Sequence, residues 1–242
     1  MNLTDNVILI TGGASGIGYA LAERFTQLGN RVIICGRRAD ALADAEAKLP
    51  GLVTKQVDLS SSAERESLAR WIESEHPGLN VLVNNAGIQQ WMSVTDTDFA
   101  DRATTEITTN IEAPVHLTSL FLALPNLKVV MNVTSGLAFS PLATVPVYSA
   151  TKAFFRSFTL SLRHQLRSRG IEVIELIPPA LNTDLGGKGI HDFAPPVSGF
   201  IDSAFEQLAA GKHEIAYGFS EQMLAAGPSE LRQAFERMNP AG

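Results

Sequence analysis

Short runs of β-branched and aliphatic residues recur along this chain, and the stretches between them carry apolar residues at helical spacing. That alternation leaves few folds open. A strand that reaches the next strand only through a helix pairs with it in parallel, and a parallel sheet needs helices over both faces. Runs at 7–10, 31–35, 52–57, 81–83, 129–133 and 173–177 read as six strands. Helices read at 19–28, closed by Gly29-Asn30; at 39–49, closed by Pro50-Gly51; and from a Ser60-Ser61-Ser62 cap to Glu75, closed by Pro77-Gly78. A long helical stretch at 96–124 is interrupted near Asn110, another runs from about Tyr148 to Arg169 before Gly170, and a further one covers 203–210. Residues 184–199, with Gly186, Gly187, Gly189, Pro195 and Pro196, read as a mobile loop. Beyond Gly218 the pattern weakens into a polar, helical segment from Ser229. The expectation is one α/β domain over residues 1–242, a doubly wound parallel sheet with helices on both faces; the length leaves no room for two ordinary domains and a linker.

Charge narrows the partners. With 19 Lys and Arg against 25 Asp and Glu, interspersed, the chain has no basic footprint for a nucleic acid or an anionic membrane. Cys35 is the only cysteine, which excludes an internal disulfide and a multi-cysteine zinc site and fits a reducing compartment. The five histidines are scattered singly, so no metal is expected. The polar start at 1–6 lacks the zones of a secretion signal, and no apolar run reaches the roughly twenty residues of a membrane helix. A cytoplasmic location is expected.

Between the first strand and the first helix lies Thr11-Gly12-Gly13-Ala14-Ser15-Gly16-Ile17-Gly18. Glycines allow a tight turn and close approach of a pyrophosphate, and the helix N-terminus then faces the anion. A plain chain reversal would use glycines too; the position directly between strand and helix favours a cofactor. At the end of the second strand an NAD-selective site usually carries an acidic residue for the adenosine ribose, whereas this chain has Gly36-Arg37-Arg38. Two guanidinium groups suit a ribose 2′-phosphate, and NADP(H) is the expected cofactor. The other reading of Arg37 and Arg38, as solvated residues opening the next helix, runs against the helix dipole.

Tyr148 and Lys152 stand four residues apart, on one face of a helix. A phenol with an ordinary pKa near 10 needs a neighbouring cation before it can exchange protons near neutral pH, and Lys152 can supply one. A lone pair of this kind is more commonly just an exposed helix pair. Ser135 follows the fifth strand, at the sheet edge where such folds collect ligands; it can hold a substrate oxygen or merely close a turn. Asn110 interrupts a helix, either to orient a water or backbone group or simply to break it.

Taken together, Thr11 to Gly18, the Asn-Asn-Ala-Gly at 84–87, Asn110, Ser135 and Tyr-x-x-x-Lys at 148–152 resemble the short-chain dehydrogenase/reductase family, in its compact single-domain branch with a Rossmann-type sheet. The resemblance implies that Tyr148 is the general acid/base, that Lys152 lowers its pKa and binds the nicotinamide ribose, that Ser135 orients the carbonyl, and that Asn110 supports a water-linked proton relay. It places the cofactor against Gly12, Ser15, Gly16, Ile17 and Gly18 at the cradle, and Arg37, Arg38, Asp58 and Leu59 at the adenosine end. Asn85, Ala86 and Gly87 would line the middle, with Tyr148, Lys152, Pro178 and Thr183 around the nicotinamide. Asp58 can equally be a helix N-cap. Two departures stand out: Pro178-Pro179 replaces the family's usual Pro-Gly, and the usual last strand and Gly-rich tail are replaced by the segment at 214–218 and the polar residues from Ser229. That tail often builds a tetramer interface, so the resemblance favours a homodimer through the Asn110-region and Tyr148 helices, with a tetramer the alternative.

Gln89, Trp91, Met92, Leu137, Phe139, Leu142, Val147 and Leu185 flank the candidate residues and describe a small, largely apolar alcohol or carbonyl substrate, though about half of them are expected to fill the core instead. No Lys or Arg cluster in these loops awaits a carboxylate or phosphate. A rival class is a catalytically silent NADP-binding regulatory or scaffold protein. Sugar-nucleotide epimerase chemistry also uses Tyr-x-x-x-Lys, but with a larger C-terminal domain and another glycine spacing.

Overall fold

The computed structural model describes residues 1–240. Seven parallel strands form one sheet in the order β3-β2-β1-β4-β5-β6-β7: β1 Val7–Thr11, β2 Arg31–Gly36, β3 Val53–Gln56, β4 Val81–Asn84, β5 Val129–Val133, β6 Glu172–Ile177 and β7 Glu214–Ala216. Side chains alternate across the sheet, so neighbouring residues of one strand serve different cores. Ile8, Ile10, Val32 and Ile34 pack on one face; Leu9, Ile33, Leu82 and Val130 pack on the other. The first face is covered by α1 Gly16–Gln27, α2 Ala39–Lys48 and α7 Val197–Ala209. Over the second lie α3 Ser62–Glu75, α5 Ala113–Phe121 and α6 Pro146–Leu166. No helix among the described residues is long and apolar enough to cross a membrane.

The strand order reverses between β1 and β4, whose residues Ile10 and Val83 are paired, and the crevice beyond their carboxyl ends is where such sheets take ligands. Helix α1 starts at Gly16, earlier than periodicity placed it, because Tyr19 N already bonds to Ser15 O. The last turn of the glycine segment is therefore the first turn of the helix. Helix α7 likewise begins within the stretch expected as a loop: Pro196 precedes it with φ −64°, a conformation suited to a helix start. The long region after β4 is α4 Phe99–Ile107 and α5, joined by a π turn, Thr108–Glu112, that carries Asn110.

The chain has a seventh strand where six were expected. Residues 214–216, expected to stand in place of a strand, form one, paired in parallel with β6 through Leu176 and Ile215. Three residues are too few to show a period. The pairing also sets Glu175 beside Glu214, and one cation bridges both: Arg156 Nη1 lies 2.6 Å from Glu175 and 3.0 Å from Glu214. After β7 come α8 Phe219–Ala225 and α9 Pro228–Met238.

Candidate active site

A cavity of about 1270 Å³ lies along the carboxyl edge of the sheet, reaching from Arg37 and Arg38 to Tyr148 and Lys152. Its floor is the turn after β1. Gly12 has φ +64°, and a Cβ there would stand 2.9 Å from Ala86 Cα; one on Gly13 would stand 2.4 Å from Ile34 Cγ2. Clashes of that size force the backbone apart, so the cradle depends on bare glycines. Thr11 Oγ1 accepts from Asn85 N and Ala86 N, each at 3.0 Å, while Asn85 Nδ2 donates to Thr11 O at 2.9 Å and Gly12 O at 3.1 Å. The Asn-Asn-Ala-Gly segment thus pins the turn. Gly18 does not line the cavity: a Cβ on it would come 2.4 Å from both Asn85 Nδ2 and Gly12 O, which makes it a packing glycine.

At the far end, Arg37, Arg38, Asp58, Leu59 and Ser60 line the wall beside Ser15, Gly16 and Ile17. Arg38 Nη2 donates to Ser15 Oγ at 3.4 Å. The cap of α3 is Ser61, which accepts from Glu64 N, so Asp58 is not the helix cap. Its Oδ1 accepts instead from Ser60 N at 3.0 Å and Ser60 Oγ at 2.8 Å. The Ser60 N–H above all, then its hydroxyl and the Arg37 guanidinium, hold the Asp58 carboxyl below its usual range. These features fit a nicotinamide dinucleotide: a glycine cradle at a helix N-terminus for the pyrophosphate, and two guanidinium groups with no acidic residue where β2 ends.

Tyr148 sits in the first turn of α6 and Lys152 one turn on, both buried and both facing the cavity with Ser135. Lys152 Nζ donates to Val133 O at 2.9 Å and lies 5.5 Å from the Tyr148 ring centre. Burial pulls the ammonium down to about 8. The phenol moves the other way: burial pushes Tyr148 above its ordinary value, the Ser135 hydroxyl pulls it back in part, and the Glu106 carboxylate adds to the rise. Desolvation of the phenol outweighs the Ser135 hydrogen bond, so Tyr148 stands above its ordinary value. Ser135 also heads a short 3₁₀ turn, its Oγ accepting from Leu137 N at 3.1 Å.

Asn110 is buried behind the cavity wall rather than in it. Its Oδ1 accepts from Ile88 N at 2.9 Å, and its Nδ2 donates to Ile88 O at 2.8 Å and Thr151 Oγ1 at 3.2 Å. Gly87 stands between it and the cleft; a Cβ at Gly87 would be 3.3 Å from Asn110 Oδ1 and 3.7 Å from Lys152 Nζ. Pro178 O accepts from Gly136 N at 3.1 Å, and Pro178, Pro179 and Thr183 line the cavity.

Of the apolar candidates, Gln89, Trp91, Leu137, Leu142 and Leu185 line the cavity, while Met92, Phe139 and Val147 do not. Met92 is buried with its N–H on Thr144 O, and Phe139 lies beneath the Arg156 guanidinium at 4.3 Å. Sequence reasoning missed the last part of the wall, Tyr217, Phe219 and Met238, which come from the tail whose pattern fades. It also missed Glu106, completely buried in α4, with Oε1 accepting from Gln90 N and Oε2 without a partner; burial pushes this carboxyl up to about 7. A lone Glu on a helix gives no sign of that.

A model of the short chain dehydrogenase family matches residues 6–192. The chain is 44% identical over 252 residues to the uncharacterized oxidoreductase DltE of Bacillus subtilis (strain 168), covering 99% of this chain and 98% of that protein. It is 32% identical over 176 residues to the NADP-dependent 3-hydroxy acid dehydrogenase YdfG of Escherichia coli (strain K12), covering 71% of each. In fold it is similar to a short chain dehydrogenase from Burkholderia cenocepacia J2315 solved in complex with NADP, with a TM-score of 0.85, 24% identity and all of both chains covered. The glycine cradle, the parallel sheet and these likenesses agree, and the chain is an oxidoreductase belonging to the short-chain dehydrogenase/reductase family, whose members use nicotinamide cofactors and act on small molecules.

Proposed function

We propose that this oxidoreductase uses NADP(H) to interconvert an alcohol and a carbonyl on a small, largely apolar substrate. One observation carries the reading: a single cavity has two guanidinium groups at one end, Arg37 and Arg38, and a buried Tyr148, Lys152 and Ser135 at the other. A nicotinamide held against Tyr148, Lys152, Pro178 and Thr183 would supply or accept the hydride. Ser135 Oγ orients the substrate oxygen, Tyr148 delivers or removes the proton at that oxygen, and Lys152 holds positive charge beside the phenol. Asn110 fixes the Ile88 backbone and through it the wall next to Lys152.

The substrate end offers Trp91, Leu137, Leu142, Leu185 and Phe219 and no Arg or Lys beyond Lys152, which supports a neutral substrate. The test follows the absorbance of NADPH and of NADH against a panel of neutral aryl and alkyl ketones and their 3-oxo-carboxylate counterparts. Turnover with neutral ketones and a KM lower for NADPH than for NADH is expected. Tyr148→Phe loses about 10²–10⁴ in kcat while NADPH binding persists. Tight NADPH binding by the wild type without turnover on any member of the panel would instead favour a cofactor-binding protein.

A further inference from the structure

Arg65 is the largest of the fully buried side chains, 1% exposed, and it lies outside the cavity. A buried guanidinium is retained only where its donors are matched, and a buried ion pair by itself adds little stability. It also sits in the first turn of α3, where the helix dipole opposes a cation. Its partners fall in two groups. On one side Nη1 donates to Leu59 O at 2.6 Å and Ser60 O at 3.3 Å, in the loop that lines the Arg37 end of the cavity. On the other, Nε donates to His116 Nδ1 at 3.0 Å and Nη2 to Glu112 Oε1 at 2.5 Å. Glu112 closes the π turn that holds Asn110, and Thr109 of the same turn lines the cavity.

From this geometry we infer that Arg65 is a positioning residue that ties the loop at 58–60 to the π turn, so that filling the adenosine end of the cavity sets the register of Asn110 on Ile88. A π turn holds one residue more than an α turn, and shifting that residue along the helix gives it a second arrangement. The planar fork of Arg spans both sides at once, which an ammonium cannot do. The inference rests on reading 58–60 as the adenosine end.

Hydrogen exchange at the Ile88 amide, whose proton is held by Asn110 Oδ1, reads that register directly. The probe is adenosine 2′,5′-bisphosphate, which reaches one end of the cavity only. In the wild type its binding is expected to slow exchange at Ile88 and across 108–112 by about tenfold. In Arg65→Met and Arg65→Lys it still binds, and the slowing disappears. Glu112→Ala, which leaves Arg65 its loop partners and removes a half-exposed carboxylate, gives the same loss in a fold that Arg65 still supports. A wild type that binds the bisphosphate without slowing at Ile88, or variants that keep the slowing, overturns the inference while leaving the cofactor reading intact. Failure of the wild type to bind the bisphosphate overturns both.

Discussion

Glu106 and Lys152 are charged groups held where water would normally solvate them, and each responds by moving toward its neutral form. Glu106 titrates near 7 in the folded chain, above its ordinary value of 4.5. Because the folded state binds this proton more tightly, its contribution to stability is complete below pH 4.5 and is lost as pH rises through 7. Glu106→Gln should therefore be more stable relative to the wild type at pH 8 than at pH 5, which thermal unfolding at the two values measures. Its second effect reaches Tyr148, whose phenol the ionised carboxylate pushes up. Removing that charge should move the Tyr148 limb of the pH–kcat/KM profile for alcohol oxidation toward lower pH; a limb that stays put or moves up refutes the coupling. Tyr148, Lys152 and Ser135 were legible because their chemistry shows in residue type, spacing and position after a strand. Glu106 and Arg65 were not, because what distinguishes them is burial by elements distant in sequence.

At the scale of elements, the three-residue strand β7 runs parallel to β6 to the carboxyl edge of the sheet, and the segment after it, through α8 and α9, closes one side of the cavity. Tyr217 follows β7, Phe219 opens α8 and Met238 ends α9, and all three reach the cavity. A Cβ on Gly199 in α7 would stand 2.7 Å from the Tyr217 hydroxyl, so the bare glycine leaves that side chain its place. The strap is fastened at its end by Asn239, which accepts from Ala143 N at 2.6 Å and donates to Pro141 O at 3.0 Å and Phe235 O at 2.8 Å. Asn239→Ala should raise the KM for a bulky ketone several-fold while leaving NADPH affinity unchanged, as steady-state kinetics and cofactor titration would show. Equal changes in both constants would place the strap elsewhere in function. The major strands and helices could be read from periodicity, since their apolar residues recur over enough positions to fix a face. β7 could not, because a three-residue edge strand carries no period, whereas the helical segment expected from Ser229 is α9, which begins one residue earlier at Pro228.

For the molecule as a whole, the order of the strands places the cavity along one edge and leaves the outer face of α6 uncovered by this chain. The exposed stripe at 153, 154, 157, 160, 161 and 164 holds Phe154 at 46% and Leu160 at 43% exposure, and Ile107 of neighbouring α4 is exposed at 46%. Large apolar side chains grouped in this way lose contact with water when a second surface covers them, at roughly 25 cal/mol per Å². The sequence resemblance favours a dimer through this same region, and a two-fold axis across α6 would bring each stripe onto its own copy. A stable pairing needs about 800 Å² from each chain. Phe154→Glu with Leu160→Glu places like charges opposite one another across such an axis. Light scattering after gel filtration should give twice the 26.0 kDa chain mass for the wild type and a single chain mass for the double variant. NADPH binding should survive in the variant, because the cradle, Arg37 and Arg38 lie on other elements and Tyr148 and Lys152 face the cavity from the buried side of α6, away from Phe154 and Leu160. A wild type that runs as a monomer, or a double variant that still runs as a dimer, removes this face from the assembly.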